Sequence, residues 1–217
     1  MKYNPDSRLM RFLTKIADLM ILNIIFVLSC LPVVTIGAAW TALYYVALKM
    51  VKDSHNGILR SFFHSFRENF RQATLLWLMI LALGALLFFD FRLVASFGDT
   101  GFAKAMYVAL GILSAVVLML LQYLFPSLAK FETTIPGAIK NACLMAVGNF
   151  PRTVLMLLFS AIPIRLTLLD ELSLLSGFFA WAAIAFALVA VAKSCLLVKI
   201  FNKYFPEPDA IDAGTDE

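Results

Sequence analysis

The feature that most constrains this chain is a run of thirty uncharged residues, Leu19–Leu48. Four further blocks also lack charge: Gln72–Phe89, Ala105–Ala129, Thr153–Ile164 and Leu172–Ala192. A helix that crosses a bilayer needs about 20 consecutive apolar residues, and most of these blocks have nearly that length or more. Of all residues 62% are hydrophobic and 15% are charged, whereas a soluble domain is about half apolar and about a quarter charged. The pattern predicts an all-α fold, a polytopic membrane helical bundle of about six transmembrane helices.

The segment Leu31–Gly37 divides the first uncharged run. Pro32 lacks an amide donor and Gly37 tolerates backbone angles that other residues avoid, so a helix that arrives here stops or bends. A single kinked helix would place the basic residues before and after the run on opposite sides of the membrane, whereas a hairpin would place them on the same side. Short loops rich in Lys and Arg stay cytoplasmic, which favours the hairpin. Its turn is then the outer tip, where Thr35 can cap the second helix.

One membrane domain is predicted over residues 1–205, because no polar linker of any length separates the blocks. The predicted spans are 16–31, 35–51, 72–90, 105–129, 151–169 and 173–200. Between them lie two amphipathic stretches, 58–70 and 136–149, which are predicted to be short interfacial helices. Residues 206–217 are acidic and contain proline, which predicts a disordered tail.

The first amphipathic stretch alternates aromatic and basic residues at helical spacing. A helix in the headgroup plane would turn its aromatic side chains towards the lipid and its basic side chains towards the headgroups. The membrane-interface residues predicted in this way are Phe62, Phe63, Phe66, Phe70, Arg60, Arg67 and Arg71.

The basic residues are distributed unevenly between the two sides of this arrangement. Of the eighteen Lys and Arg residues, only Arg92, Lys104 and Arg165 fall in loops on the outer side. The excess of positive charge on the other side predicts that both termini are cytoplasmic. Contact with the lipid bilayer and with the membrane surface accounts for the basic residues, so nucleic-acid binding is not predicted.

A short internal similarity relates residues 68–75 to residues 148–155, at an offset of eighty positions. Both segments contain Asn-Phe, follow a span and an amphipathic stretch, and open another span. Repeats are common in membrane transporters, but a leucine-rich context also produces such matches by chance. Duplication and coincidence both remain open.

Ionisable residues are absent from the middle of every predicted span. Five ionisable residues lie close to the ends of spans, where long side chains reach the interface. They are Asp18, Lys49, Asp90, Arg165 and Lys193. Proton relays need charge at depth, which counts against a proton-coupled pump.

Uncharged polar side chains within the spans are the remaining candidates for a site. A small-solute transporter would place them around a polar cavity between the first, second and fourth spans. The residues concerned are Asn23, Thr35, Thr41, Tyr44 and Gln122. The alternative is that these groups form hydrogen bonds between helices, which is the commoner role of such residues.

Neither catalysis nor a metal or cofactor site is predicted. His55 and His64 are the only histidines, and His64 could share a proton or a metal with Glu68 four residues later. A metal site needs three or four ligands, so a solvated helix face is the preferred interpretation. The three cysteines, Cys30, Cys143 and Cys195, are far apart and form no CxxC pair. The chain is therefore expected not to be an enzyme.

Several motifs resemble the YesL-type family of bacterial membrane proteins, a domain of unknown function. They are Leu31-Pro-Val-Val-Thr-Ile-Gly37, Ala42-Leu-Tyr-Tyr45, Phe62-Phe63, Phe66 and Asn69-Phe70-Arg-Gln-Ala73. Such proteins often accompany carbohydrate-uptake ABC transporters and polysaccharide-degrading enzymes. The resemblance implies a multi-pass protein of the bacterial plasma membrane and a non-catalytic role in carbohydrate uptake with an ABC transporter as partner. It supplies no catalytic residues.

Overall fold

The structure, a computed structural model, describes residues 8–52, 57–131, 133–169 and 171–204. Helices contain 92% of the described residues, and no strand occurs among them. The predicted all-α fold is therefore confirmed. The α-helices are α1 (Arg8–Ser29), α2 (Ile36–Val51), α3 (Ile58–Ser96), α4 (Gly101–Lys130), α5 (Ile135–Gly148), α6 (Phe150–Thr167), α7 (Glu171–Ala180) and α8 (Phe186–Tyr204).

Within the described ranges, six helical segments are long and apolar enough to cross a membrane. They are Phe12–Ser29, Val33–Val51, Ile58–Ser96, Gly101–Lys130, Phe150–Thr167 and Ser173–Tyr204. Large apolar side chains face outwards from them, among them Phe89 at 69% exposure and Ile112 at 61%. An apolar surface this extensive is unfavourable in water but suits hydrocarbon, so the protein is a multi-pass membrane protein in contact with a lipid bilayer.

The chain reverses direction between α1 and α2. The rings of Phe26 and Trp40 lie 5.0 Å apart between centroids, whereas fourteen residues of continuous helix would separate their backbones by about 21 Å. Within the turn, Thr35 Oγ1 donates to the carbonyl oxygens of Ser29 and Pro32. Thr35 makes no side-chain cap on α2, so it closes the turn instead of capping the helix as predicted.

The turn packs beside the middle of α3. This position differs from the predicted one, in which the turn forms the outer tip of the hairpin. Trp77 Nε1 donates to the carbonyl oxygen of Val33 at 2.8 Å, and Gly37 packs directly against Ala73. Helix α3 continues for nineteen more residues to Ser96, about 28 Å at about 1.5 Å per residue. These two contacts hold the turn at this level of α3.

Helix α3 joins the predicted interfacial helix 58–70 and the predicted span 72–90 into one helix of 39 residues. Phe70-Arg71-Gln72 contains neither glycine nor proline, so nothing ends the helix there. At about 58 Å the helix exceeds the roughly 30 Å hydrocarbon core, and its charged first part therefore extends beyond it.

The predicted interface residues of α3 have three different environments. Phe62 is fully buried in one cluster with Leu48 and Met50, so the prediction that it faces lipid is wrong. The first part of α3 packs against α2, and this contact buries the helix face that carries Phe62. Phe66 is half-buried, whereas the remaining predicted residues are exposed: Phe63, Phe70, Arg60, Arg67 and Arg71.

The second amphipathic stretch, predicted at 136–149, forms the separate helix α5. The backbone leaves helical geometry at Asn149, with φ −133° and ψ 43°, two residues before Pro151, which supplies no amide hydrogen. Buried Ala138, Ala142 and Met145 pack α5 against the bundle. After the end of α4, the ring of Phe131 contacts the ring of Phe201 on α8, with 5.3 Å between the ring centroids. The predicted tail 206–217 lies outside the described residues.

Candidate solute-binding cavity

A cavity of about 280 Å³ lies between five of the six candidate spans. All three tryptophans of the chain, Trp40, Trp77 and Trp181, line it. The other lining residues are Tyr44, Leu118, Leu121, Gln122, Phe125, Ser160, Ile164, Phe186, Val189 and Lys193. Leu118 and Ile164 are about half exposed, so the cavity is open between α4 and α6.

Hydrogen bonds and ring contacts hold the aromatic walls of the cavity in place. Trp77 Nε1 is bonded to Val33 of the turn, as described above, and Trp181 Nε1 donates to Thr167 Oγ1 at 3.0 Å. Trp40 stacks on Tyr44 with 5.8 Å between ring centroids. Each of these hydrogen bonds restrains the orientation of an indole that lines the cavity.

A π-helical segment, Trp181–Ala185, connects α7 to α8 and interrupts the last predicted span. Asn23 of α1 is fully buried beside it. Its Nδ2 donates to the carbonyl oxygens of Trp181 and Ala182, and its Oδ1 accepts from the amide of Ala187. A change of helical register leaves backbone groups without their usual partners, which is costly in a membrane. Asn23 satisfies three such groups and so supports the wall that carries Trp181.

Lys193 is 5% exposed, and its Nζ donates to Gln122 Oε1 at 2.7 Å. The prediction that Lys193 reaches the membrane interface is therefore wrong. Its side chain turns inwards because α8 faces α4 across the cavity, and the amide of Gln122 offers a partner there.

The predicted cavity residues take four different roles. Tyr44 and Gln122 line the cavity, whereas Asn23 supports it from behind. Thr41 is buried and donates to Gly37 of its own helix at 3.0 Å, and Thr35 closes the turn. Sequence reasoning missed the three tryptophans, which no motif distinguishes from ordinary core residues.

His64, the histidine that the structure describes, lies on an exposed helix face. His64 Nδ1 lies 3.3 Å from Glu68 Oε2, and both side chains are about half exposed or more. His55 lies outside the described residues. Across the part of the chain that the structure describes, no three His, Cys, Asp or Glu side chains are grouped to hold a metal ion.

Comparison with known proteins identifies one family. Residues 19–91 match the model of the family described as "Protein of unknown function, DUF624", which is about a third of the chain. No curated protein and no solved structure matches. The matched segment contains Trp40, Tyr44 and Trp77 but neither Gln122 nor Lys193. Over the hairpin and most of α3, the chain is therefore similar to a family whose function is unknown.

Proposed function

We propose that this chain is a non-catalytic membrane component of carbohydrate uptake that binds one sugar unit in its cavity. The observation that carries the proposal is the convergence of all three tryptophans on one cavity that also contains Tyr44, Gln122 and Lys193. Aromatic faces stack against the C–H faces of a sugar ring, while hydroxyl, amide and ammonium groups bond its oxygens. Small-molecule pockets range upwards from about 300 Å³, so this cavity suits a monosaccharide better than an oligosaccharide.

The resemblance to the YesL-type family supports the same proposal, because such proteins often accompany carbohydrate-uptake ABC transporters. An ABC transporter is therefore the partner we propose. Purification of the full chain from the native membrane in a mild detergent, followed by mass spectrometry, tests this part. Recovery of transporter subunits would support it, and their absence after crosslinking in intact cells would contradict it.

Intrinsic tryptophan fluorescence tests sugar binding directly, because every tryptophan lines the cavity. The full chain in nanodiscs is titrated with monosaccharides, and a saturable change in emission is expected. Val189→Phe should remove this response, since Val189 lines the cavity and the larger ring would fill it. Leu188→Phe is the matched control, because Leu188 is the adjacent residue and is 52% exposed. An equal loss in both variants, or no response in the wild type, would contradict the proposal.

A self-contained small-solute transporter is the second candidate. The observation that favours it is that five candidate spans of a single chain surround the cavity. Uptake of a radiolabelled sugar into proteoliposomes that contain only this chain distinguishes the two. Uptake that Val189→Phe removes would favour the transporter, whereas binding without uptake would favour the component of a larger system.

We also propose that the protein lies in the bacterial plasma membrane with both termini cytoplasmic. The distribution of Lys and Arg supports this orientation, as does the position of Lys49, Lys52 and Lys130 around one crevice at one end of the bundle. Fusions of a fluorescent protein and of alkaline phosphatase to the C-terminus test it. Fluorescence without phosphatase activity is expected, and the reverse pattern would contradict the orientation.

A further inference from the structure

We infer that the cavity selects a sugar that carries a carboxylate, with Lys193 and Gln122 as the groups that bind it. This inference rests on the proposed function and names the class of sugar. One basic side chain in the cavity, that of Lys193, has no acidic residue among its neighbours on the lining.

Lys193 is the one basic residue among those that line the cavity. A lysine ammonium has three hydrogen-bond donors, and one of them is directed to Gln122 Oε1 at 2.7 Å. No acidic residue is among the residues that line the cavity, and no carboxylate among the described residues forms an ion pair with Lys193. Within a membrane protein a buried charge is costly unless it is paired, so the site is complementary to an anion.

The shape of the cavity restricts which anion fits. Indole rings of Trp40 and Trp77 and the phenol ring of Tyr44 form apolar walls on the same cavity. A small inorganic anion would leave these walls without contact. A sugar acid would place its ring against them and its carboxylate at Lys193, where a charge-assisted hydrogen bond forms.

Three probes of nearly the same size test the inference in wild-type protein. Glucuronate, its neutral methyl ester and glucose are titrated against the full chain in nanodiscs, and tryptophan emission is recorded. We expect glucuronate to bind at least about tenfold more tightly than the ester or glucose. Equal affinities for the three would overturn the inference but leave sugar binding intact. No response to any of them would contradict the proposed function instead.

Variants of Lys193 assign the preference to this residue. Lys193→Gln should reduce the preference for glucuronate over glucose to about one, whereas Lys193→Arg, which keeps the charge, should retain most of it. Size-exclusion chromatography establishes that each variant is folded. A preference that persists in Lys193→Gln would overturn the role of Lys193. If Lys193→Gln does not fold, the comparison of glucuronate with its ester in the wild type still decides whether the site selects a carboxylate.

Discussion

Asn23 Nδ2 on α1 donates a hydrogen bond of 2.7 Å to the carbonyl oxygen of Ala182 in the π-helical segment. The two residues are 159 positions apart in the chain, and the bond joins the first candidate span to the last. The same amide group also donates to Trp181, whose indole lines the cavity. Asn23 is therefore a positioning residue for the cavity wall.

Replacing Asn23 with leucine should destabilise the protein and loosen this wall. The substitution keeps the side-chain volume but leaves two carbonyl groups and one amide without their partner, each worth about 1–3 kcal/mol when buried. Differential scanning fluorimetry in detergent should show a lower Tm. Asn69→Leu is the control, since the amide of Asn69 bonds only Ser65, one turn earlier in the same helix. Equal losses in the two variants would show that Asn23 has no special role.

Gly37 should not tolerate a side chain, because α2 and α3 are in close contact there. A Cβ atom at this position would overlap the carbonyl oxygen of Ala73 and lie 2.6 Å from Trp77 Cβ. Overpacking of this kind costs about 1–3 kcal/mol, so Gly37→Ala should lower the Tm and shift tryptophan emission. Gly84→Ala on α3 meets no atom within 4 Å and should be neutral or stabilising by up to about 1 kcal/mol. A neutral Gly37→Ala would contradict the close packing of the two helices.

Local signals in the sequence predict the turn but not its depth. Pro32 and Gly37 predict a break in the helix, and the charge distribution favours a hairpin over a single kinked helix. Its level is set by tertiary contacts, such as the bond from Trp77 to Val33, which no local pattern encodes. The amphipathic pattern of 58–70 predicts a separate helix, but no glycine or proline before Gln72 ends it, and the helix continues into the next span.

The candidate site was predicted only in part for a related reason. A polar residue on an apolar helix can bond its own backbone, as Thr41 does, or reach another helix, as Asn23 does. Spacing alone does not separate these outcomes. The position of Lys193 close to a span end predicts that it reaches the interface, but its burial and its hydrogen bond to Gln122 show that it turns inwards. The possible repeat gains one parallel, since Asn69 and Asn149 both donate to the carbonyl four residues earlier.

Tyr123 and Thr153 should be energetically coupled across α4 and α6. Their hydroxyl oxygens lie 2.7 Å apart, and both side chains are fully buried. Hydrogen bonds between membrane helices contribute about 0.6–2 kcal/mol. A double-mutant cycle with Tyr123→Phe and Thr153→Val, read from unfolding in a denaturing detergent, should give a coupling energy in this range. Strictly additive effects would show that the contact contributes nothing to stability.

The turn between α1 and α2 has the features of a segment that lies within the bilayer. Leu31 is 74% exposed and Val33 is 59% exposed, so apolar side chains cover its outside. Three of its carbonyl oxygens have internal donors, because Thr35 Oγ1 donates to Ser29 and Pro32 while Trp77 Nε1 donates to Val33. Irregular backbone at membrane depth requires such partners. Since α3 continues about 28 Å further, we expect the turn to stop short of the far surface.

Cysteine accessibility measures this depth. In a background with Cys30, Cys143 and Cys195 replaced by serine, Leu31→Cys should resist a membrane-impermeant maleimide added to either side. Ser96→Cys, at the far end of α3, should react from one side, and Leu59→Cys, which is exposed near its start, should react from the other. After denaturation in SDS the same maleimide should label all three, which establishes that each cysteine is present and reactive. Reaction of Leu31→Cys as fast as Ser96→Cys, from the same side, would show instead that α1 and α2 cross the whole membrane.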